Sequence, residues 1–348
     1  MVHSSLILVT GATGAVGPRV VAALHDAGCR IRTLSMDAPP DGVWPDEVEA
    51  RIGDITDPAT VQSVMQGVDG VIHLAALLHI VNPPPELLEK YERINVGGTA
   101  TVVEAARQAG VKRLVFFSTI AVYGASGGGI LTEDSPTRPD SFYAQTKLDA
   151  ERIVLAAKRE DGKPLGTVLR LGAVYGARIK GNYQRLLLAL AGNPGTRYRI
   201  QGNSGHVPEL PFIPVGSGLN RRTLVYDKDV GRAAALAVSH PAAAGRVFNV
   251  TDGRFHTLNE IIEAICAALG RKPPRLSLPV GPIRMVAGLI EKGARAIGIK
   301  APVTRETIDK YTEDIAVDGS LIQRELGFKP QYDLKTGWEE TIKERQAR

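Results

Sequence analysis

Only two of the 348 residues are cysteine, Cys29 and Cys266. Neither stands at a metal-ligand spacing, so no metal site is expected, and two reduced thiols fit a reducing compartment. No stretch approaches the ~18 consecutive apolar residues of a membrane span. The opening "MVHSSLILVTGATG" has no charged segment ahead of its apolar run, and glycines interrupt that run too early for a secretory signal. Lysine and arginine are scattered rather than gathered in a stripe or tail, which speaks against a nucleic-acid partner. The net charge of +5 suits a small anionic ligand instead. There are no repeats and no low-complexity tract. What these absences leave is a cytoplasmic globular protein with no nucleic acid and no membrane as partner.

What is present is an alternation. At 44% hydrophobic and 23% charged residues the composition is that of an ordinary soluble protein, and the length allows two domains or one large α/β unit with an extension. Continuous apolar runs at 6–10, 30–34, 49–52, 70–76, 113–119 and 166–171 read as strands. Helical patterns separate them, around 15–27, 58–66, 94–110 and 141–151. Buried strands alternating with helices predict a parallel sheet covered on both faces, and right-handed crossovers make it doubly wound. After residue 176 the pattern loosens. Residues 193–222 read as a long loop, 223–250 as elements returning to the sheet, and 257 onward as mostly helical. The expected division is therefore 1–175, the doubly wound sheet domain, and 176–348, a smaller, mostly helical region.

The turn after the first strand reads "GATGAVG". Gly11, Gly14 and Gly17, with Thr13, Ala15 and Val16 between them, stand before a helix at the head of the sheet. Glycines there let the backbone approach a pyrophosphate, and the helix N-terminus offers amide donors and a positive dipole end. Placed after a strand and before a helix, the motif predicts a Rossmann-type dinucleotide site, so 1–175 is the expected dinucleotide-binding domain and 176–348 the expected substrate-binding region.

"SFYAQTKLDAE" (141–151) sets Tyr143 and Lys147 four apart on a helical pattern, so their side chains lie on one face. An ammonium beside a phenol favours the phenolate, which is otherwise unavailable at neutral pH with a pKa of about 10. By themselves the two residues fit a tuned acid–base couple or an exposed aromatic beside a solvated lysine.

The whole series resembles the extended branch of the short-chain dehydrogenase/reductase superfamily. "GDITD" (53–57) resembles the loop in which an aspartate, here Asp54 next to Ile55, contacts adenine. "HLAA" (73–76), with Leu74, Ala75 and Ala76, is similar to the strand end lining the cofactor, and Asn95 heads the long helix as in the family. Tyr143 falls 24 residues after Thr119 and is the one tyrosine of nine with a lysine four residues on. The resemblance implies that Thr119 holds the reacting oxygen and that Tyr143 exchanges a proton with the substrate hydroxyl as hydride moves to or from nicotinamide. It implies that Lys147 lowers the tyrosine pKa and binds the nicotinamide ribose. Ser118 neighbours Thr119, but alternation along a strand lets only one of them face the site. The position that grips the adenosine ribose is Ser35, followed by Met36 and Asp37, with Arg32 a candidate for a 2′-phosphate. NAD is the expected cofactor, with NADP the alternative.

"NRRTLVYDKDV" (220–230) resembles the stretch by which nucleotide-sugar enzymes of this family grip a diphosphate, with Arg222 as the gripping guanidinium and Asp229 seven residues later. Dehydratases of the family carry an Asp–Glu pair after the hydroxyl residue; here Ile120 and Ala121 follow Thr119. Epimerases carry an asparagine after the sixth strand; here Ala173 stands there. The resemblance implies a nucleotide-sugar 4-epimerase working through a 4-keto intermediate, with a reductase or a steroid- or flavonol-type dehydrogenase as the alternative, and a homodimer.

Overall fold

In the computed structural model, residues 5–39, 41–78, 84–192, 212–296, 299, 301 and 304–347 are described. The first half contains β1 (Leu6–Thr10), α1 (Gly17–Asp26), β2 (Arg30–Ser35), β3 (Glu49–Ile52), α2 (Pro58–Val64) and β4 (Gly70–His73). It continues with α3 (Pro85–Tyr91), a π-helical turn (Glu92–Gly97), α4 (Gly98–Gln108), β5 (Arg113–Thr119), a 3-10 turn (Ile120–Tyr123), α5 (Phe142–Ala156) and β6 (Gly166–Leu171). Next come β7 (Ala173–Tyr175), α6 (Asn182–Leu190), β8 (Arg221–Arg222), β9 (Leu224–Tyr226), α7 (Asp227–Ser239), β10 (Val247–Val250) and β11 (His256–Thr257). Helices α8 (Leu258–Ala268), α9 (Val280–Ala296), α10 (Arg305–Thr312), α11 (Ser320–Leu326) and α12 (Leu334–Gln346) follow.

Seven strands form one sheet in the order β10-β6-β5-β4-β1-β2-β3, and every pairing in it is parallel. The chain winds outward from β1 in both directions, so the topological switch lies between β1 and β4. In doubly wound sheets a ligand sits there, outside the carboxyl ends of the strands.

Alternation along the strands divides the core in two. Ile7, Val9, Ile72, Val115 and Phe117 face α1 and α7, whereas Leu6, Leu8, Val71, Leu114 and Phe116 face α2, α4 and α5. Helices α1 and α7 touch at Gly231, where a Cβ would stand 2.4 Å from the Arg19 carbonyl oxygen. A third core joins β7, β9, α8 and α12, with Tyr175 stacked on Trp338 at 4.8 Å.

Two expected elements differ in extent. The fourth strand ends at His73 rather than at 76: the Leu74 amide makes the last ladder bond, to the Thr10 carbonyl of β1 at 3.1 Å, and the Ala75 amide goes to the Thr10 hydroxyl at 3.4 Å instead. The expected helix over 94–110 begins as a π-turn and becomes α-helical at Gly98. Most of the expected long loop, 193–211, lies outside the described residues.

Candidate active site

The glycines of the first turn are there for close approach. Gly11 has φ +72°, and a Cβ on it would lie 2.7 Å from the Ala75 backbone across the switch point. A Cβ on Gly17 would reach within 2.0 Å of the Ala12 carbonyl oxygen, so the helix can start this near the turn only without a side chain. Ala15 and Val16 lead into the first turn of α1, whose opening N–H groups have no partner inside the helix. The Thr13 amide donates to the Ser35 hydroxyl at 3.3 Å, which ties the turn to the end of β2. This cradle fits the pyrophosphate and adenosine of a dinucleotide.

Asp54 closes the turn after β3 by accepting from the Thr56 amide at 2.8 Å. Ile55 is buried against α4, at Gly98, where a Cβ would meet its side chain at 2.6 Å. Arg32 does not face the cofactor side. Its guanidinium binds Glu49 at 2.8 Å and the carbonyls of Val64 and Gln66 at 2.9 and 2.7 Å, leaving it bound elsewhere rather than facing a 2′-phosphate.

Beyond the cradle runs a chain of buried polar groups, of which the sequence singles out Asn95 but not the threonines that join it to His73 and to α5. Thr10 shares a 2.6 Å hydrogen bond with His73 Nδ1, and His73 Nε2 lies 3.0 Å from the Thr99 hydroxyl. Thr99 donates its own hydrogen to the Asn95 carbonyl at 2.6 Å, so it accepts from Nε2–H. His73 therefore holds its proton on Nε2 and accepts from Thr10 at Nδ1. Burial, with the nearby Lys147 charge, lowers the His73 pKa to about 3. The unfolded chain takes up this proton near 6.5, so the neutral ring's contribution is complete above that pH and is lost as pH falls toward 3.

Asn95 fastens the loop after β4 to α5. It accepts from the Leu77 amide at 2.7 Å and donates to the Leu77 carbonyl and the Thr146 hydroxyl, each at 3.2 Å. Thr146 in turn donates to the Tyr143 carbonyl at 2.9 Å. The π-turn widens the helix where Asn95 must reach inward. Leu74, Ala75 and Ala76 line the loop that this residue holds, and the Ala75 amide rests on the Thr10 hydroxyl at 3.4 Å.

Helix α5 starts at a Ser141 cap and presents Tyr143 and Lys147 on successive turns. Tyr143 packs edge-on against Tyr91 at 6.3 Å, and the Lys147 ammonium stands 4.0 Å over the Phe116 ring of β5. Here the expectation of a lysine-lowered tyrosine pKa is corrected. Burial and the neighbouring Tyr91 raise Tyr143 to about 12, while burial, only partly offset by Glu151, lowers Lys147 to about 7. A lysine that loses its proton near neutrality cannot act as a full cation on its neighbour. Within the chain alone, desolvation outweighs the pairing.

At the carboxyl end of β5 the two hydroxyl candidates part. Ser118 is buried and donates to Glu151, whose carboxylate also holds Arg170 at 2.7 Å, with that guanidinium 4.7 Å over the Tyr123 ring. Thr119 points to the opposite face and caps the 3-10 turn by accepting from the Ala121 amide at 3.2 Å. Arg222, on β8, is held by a different segment. Its Nη2 donates to the carbonyls of Lys310 and Tyr311, at 2.7 and 2.8 Å, and so closes the C-terminal end of α10. Asp229 accepts from the Gln331 and Tyr332 amides and pins the segment before α12.

Comparison with known proteins agrees with this arrangement. A model of the NAD dependent epimerase/dehydratase family matches residues 7–251, which run from β1 through β10. The UDP-glucose 4-epimerase of Vibrio cholerae is 28% identical over 345 residues, covering 96% of this chain and 94% of its own. The dTDP-glucose 4,6-dehydratase of Streptomyces griseus is 31% identical over 349 residues, covering 97% and 92%. The solved structure of MoeE5 in complex with UDP-glucose and NAD is 27% identical, with a TM-score of 0.72, covering 98% of this chain and 99% of that one. With the glycine cradle at the switch point and a family match over most of its length, the chain belongs to the NAD dependent epimerase/dehydratase family, as an NAD-dependent enzyme on an extended short-chain dehydrogenase/reductase fold.

Proposed function

We propose that the protein is an NAD-dependent 4-epimerase of UDP-hexoses. The observation that carries this reading is the turn after β5, where Thr119 is followed by Ile120 and Ala121. A dehydratase must also take a proton from carbon and expel water, and these two apolar side chains can do neither. The 31% identity to a dehydratase therefore does not extend to that chemistry.

In this reading NAD, when bound, accepts and returns the hydride and, in its oxidised form, brings a positive charge to the site. The chain's residues manage the proton. Thr119 holds the sugar O4 hydroxyl, and Tyr143 takes its proton as the C4–H bond breaks, leaving a 4-keto sugar. Return of hydride to the other face of C4 and of the proton from Tyr143 completes the inversion. The positive charge of oxidised NAD would offset the burial that raises the Tyr143 phenol to about 12 and so favour its action as a base. Lys147 binds the nicotinamide ribose. Gly11, Gly14, Gly17, Ser35, Asp54 and Asn95 bind or frame the dinucleotide, and residues 176–348 bind the sugar nucleotide in a homodimer.

Arg222 grips the diphosphate with the guanidinium nitrogens not engaged on α10. Incubation with UDP-glucose, UDP-galactose and their N-acetyl forms, without added reductant, tests the proposal. Interconversion of the C4 epimers is expected, and Arg222→Ala should weaken nucleotide-sugar binding by about 1–3 kcal/mol. Stoichiometric NADPH oxidation with a keto substrate, and no epimer formed, overturns it. Ala173, in place of an asparagine, is the observation that favours this reductase outcome.

A further inference from the structure

Helix α9 is packed inside out. The residues it buries are small, Ala287, Gly288 and Ala294, and they lie toward α10, where Arg284 pairs with Asp309 at 2.7 Å. Its large apolar side chains face outward: Met285, Val286, Leu289 and Ile290 are 66%, 51%, 64% and 41% exposed. A helix that ends in water does the reverse. Leu276 and Leu278, in the segment that leads into α9, are exposed as well. Six of the thirteen exposed large hydrophobic residues of the described chain lie between Leu276 and Ile290, so they are concentrated in one short stretch rather than scattered singly.

Its charge selects the partner. From Arg271 to Arg295 the sequence has six basic residues and a single acid, Glu291. Lys272, Arg275 and Lys292 are exposed in the same stretch of chain, while Glu306 and Asp309 of α10 are paired with Lys310 and Arg284. A second copy of this chain would bring like charges face to face. An exposed apolar stripe edged with lysine and arginine is instead the form of a helix that lies in the plane of an anionic bilayer. We infer that α9 and the segment 271–278 form a peripheral membrane-docking surface for anionic lipid. This departs from the expectation of no membrane partner, which rested on the lack of a spanning segment. It does not depend on which sugar the active site takes.

The test is co-sedimentation of the full chain with extruded phosphatidylcholine vesicles, with and without about a third phosphatidylglycerol. Binding to the anionic vesicles, weakened by salt, is expected. Replacing Leu289 and Ile290 together by Ser, or Lys272 and Arg275 together by Glu, should cut the bound fraction roughly tenfold, with circular dichroism unchanged. No co-sedimentation, or co-sedimentation indifferent to both variants, overturns the inference. So does a dimer that the Ser variant splits while neither form binds vesicles, since the occupant is then a second copy.

Discussion

Helices α4 and α9 are both amphipathic, and they use their apolar faces in opposite ways. In α4 the large residues Val102 and Val103 are buried under the sheet, and the helix begins at the π-turn whose Asn95 reaches α5. In α9 the small residues are buried and the large ones face outward. The α4 side is closed around a threaded set of hydrogen bonds from Thr10 to Tyr143, so position there is fixed by many partners at once. Among the described residues, the α9 side leaves its large apolar side chains exposed. The difference separates two roles: a rigid wall for proton chemistry, and a face left open for contact.

The largest effect should come from the closed side. Tyr143→Phe keeps the ring against Tyr91 and removes only the proton-bearing oxygen. Turnover should fall by about 10²–10⁴, with NAD affinity within a few-fold of the parent. A variant that turns over at the parent rate would show that the α5 wall does not carry the proton, and the contrast with α9 would lose its chemical half.

Next in size is the buried ion pair behind that wall. Glu151→Leu leaves Arg170 charged and without its carboxylate, and strips the partner from Ser118. Chemical denaturation should show a loss of about 3–5 kcal/mol. Leu at 151 with Met at 170 should cost much less, because no lone charge is left buried. Equal losses in the single and double variants would mean that packing rather than charge holds this side together.

How much of this could be read from the sequence follows the range of the interactions involved. Strands β5 and β6 have the expected limits because unbroken apolar runs between helices leave few other options. The glycine turn is legible because each glycine excludes a side chain from a definite neighbour. The pairing of Tyr143 with Lys147 on α5 is a matter of spacing and is equally plain. The sign of the effect on Tyr143 is not, because it depends on how much water two folded surfaces remove. Thr10, Thr99 and Thr146 were missed for a related reason, since threonines at 10, 99 and 146 meet only through tertiary contacts. The one local hint was Thr146, directly before Lys147. For α9, periodicity reveals an apolar face but not whether it points inward.

A smaller effect is the pH dependence from Lys147. Its folded pKa of about 7 lies below its ordinary 10.5, so between these values the unfolded chain binds more protons. Stability from this group should therefore rise with pH across that window, by on the order of 1 kcal/mol per unit at most. Lys147→Met should flatten that rise in urea midpoints measured at pH 7, 8 and 9. An unchanged slope would mean that the ammonium is solvated, and that the wall is wetter than the contact with Phe116 implies.

The smallest expected effect bears most directly on the contrast between the two helices. Leu289→Ser on α9 exchanges an exposed side chain for a polar one, so stability should stay within about 0.5 kcal/mol of the parent. Val102→Ser on α4 makes a comparable exchange at a fully buried position, where lost packing and a buried hydroxyl should together cost about 2 kcal/mol or more. Denaturation midpoints of the two variants, each taken at two protein concentrations, give the comparison. If Leu289→Ser costs as much as Val102→Ser, its side chain is covered in solution. A cost that grows with protein concentration would then assign the cover to a second copy, because a partner that binds only the folded chain stabilises it by mass action. A cost near zero at both concentrations leaves the face of α9 open in solution, with its large side chains free to meet a surface that the folded chain does not itself supply.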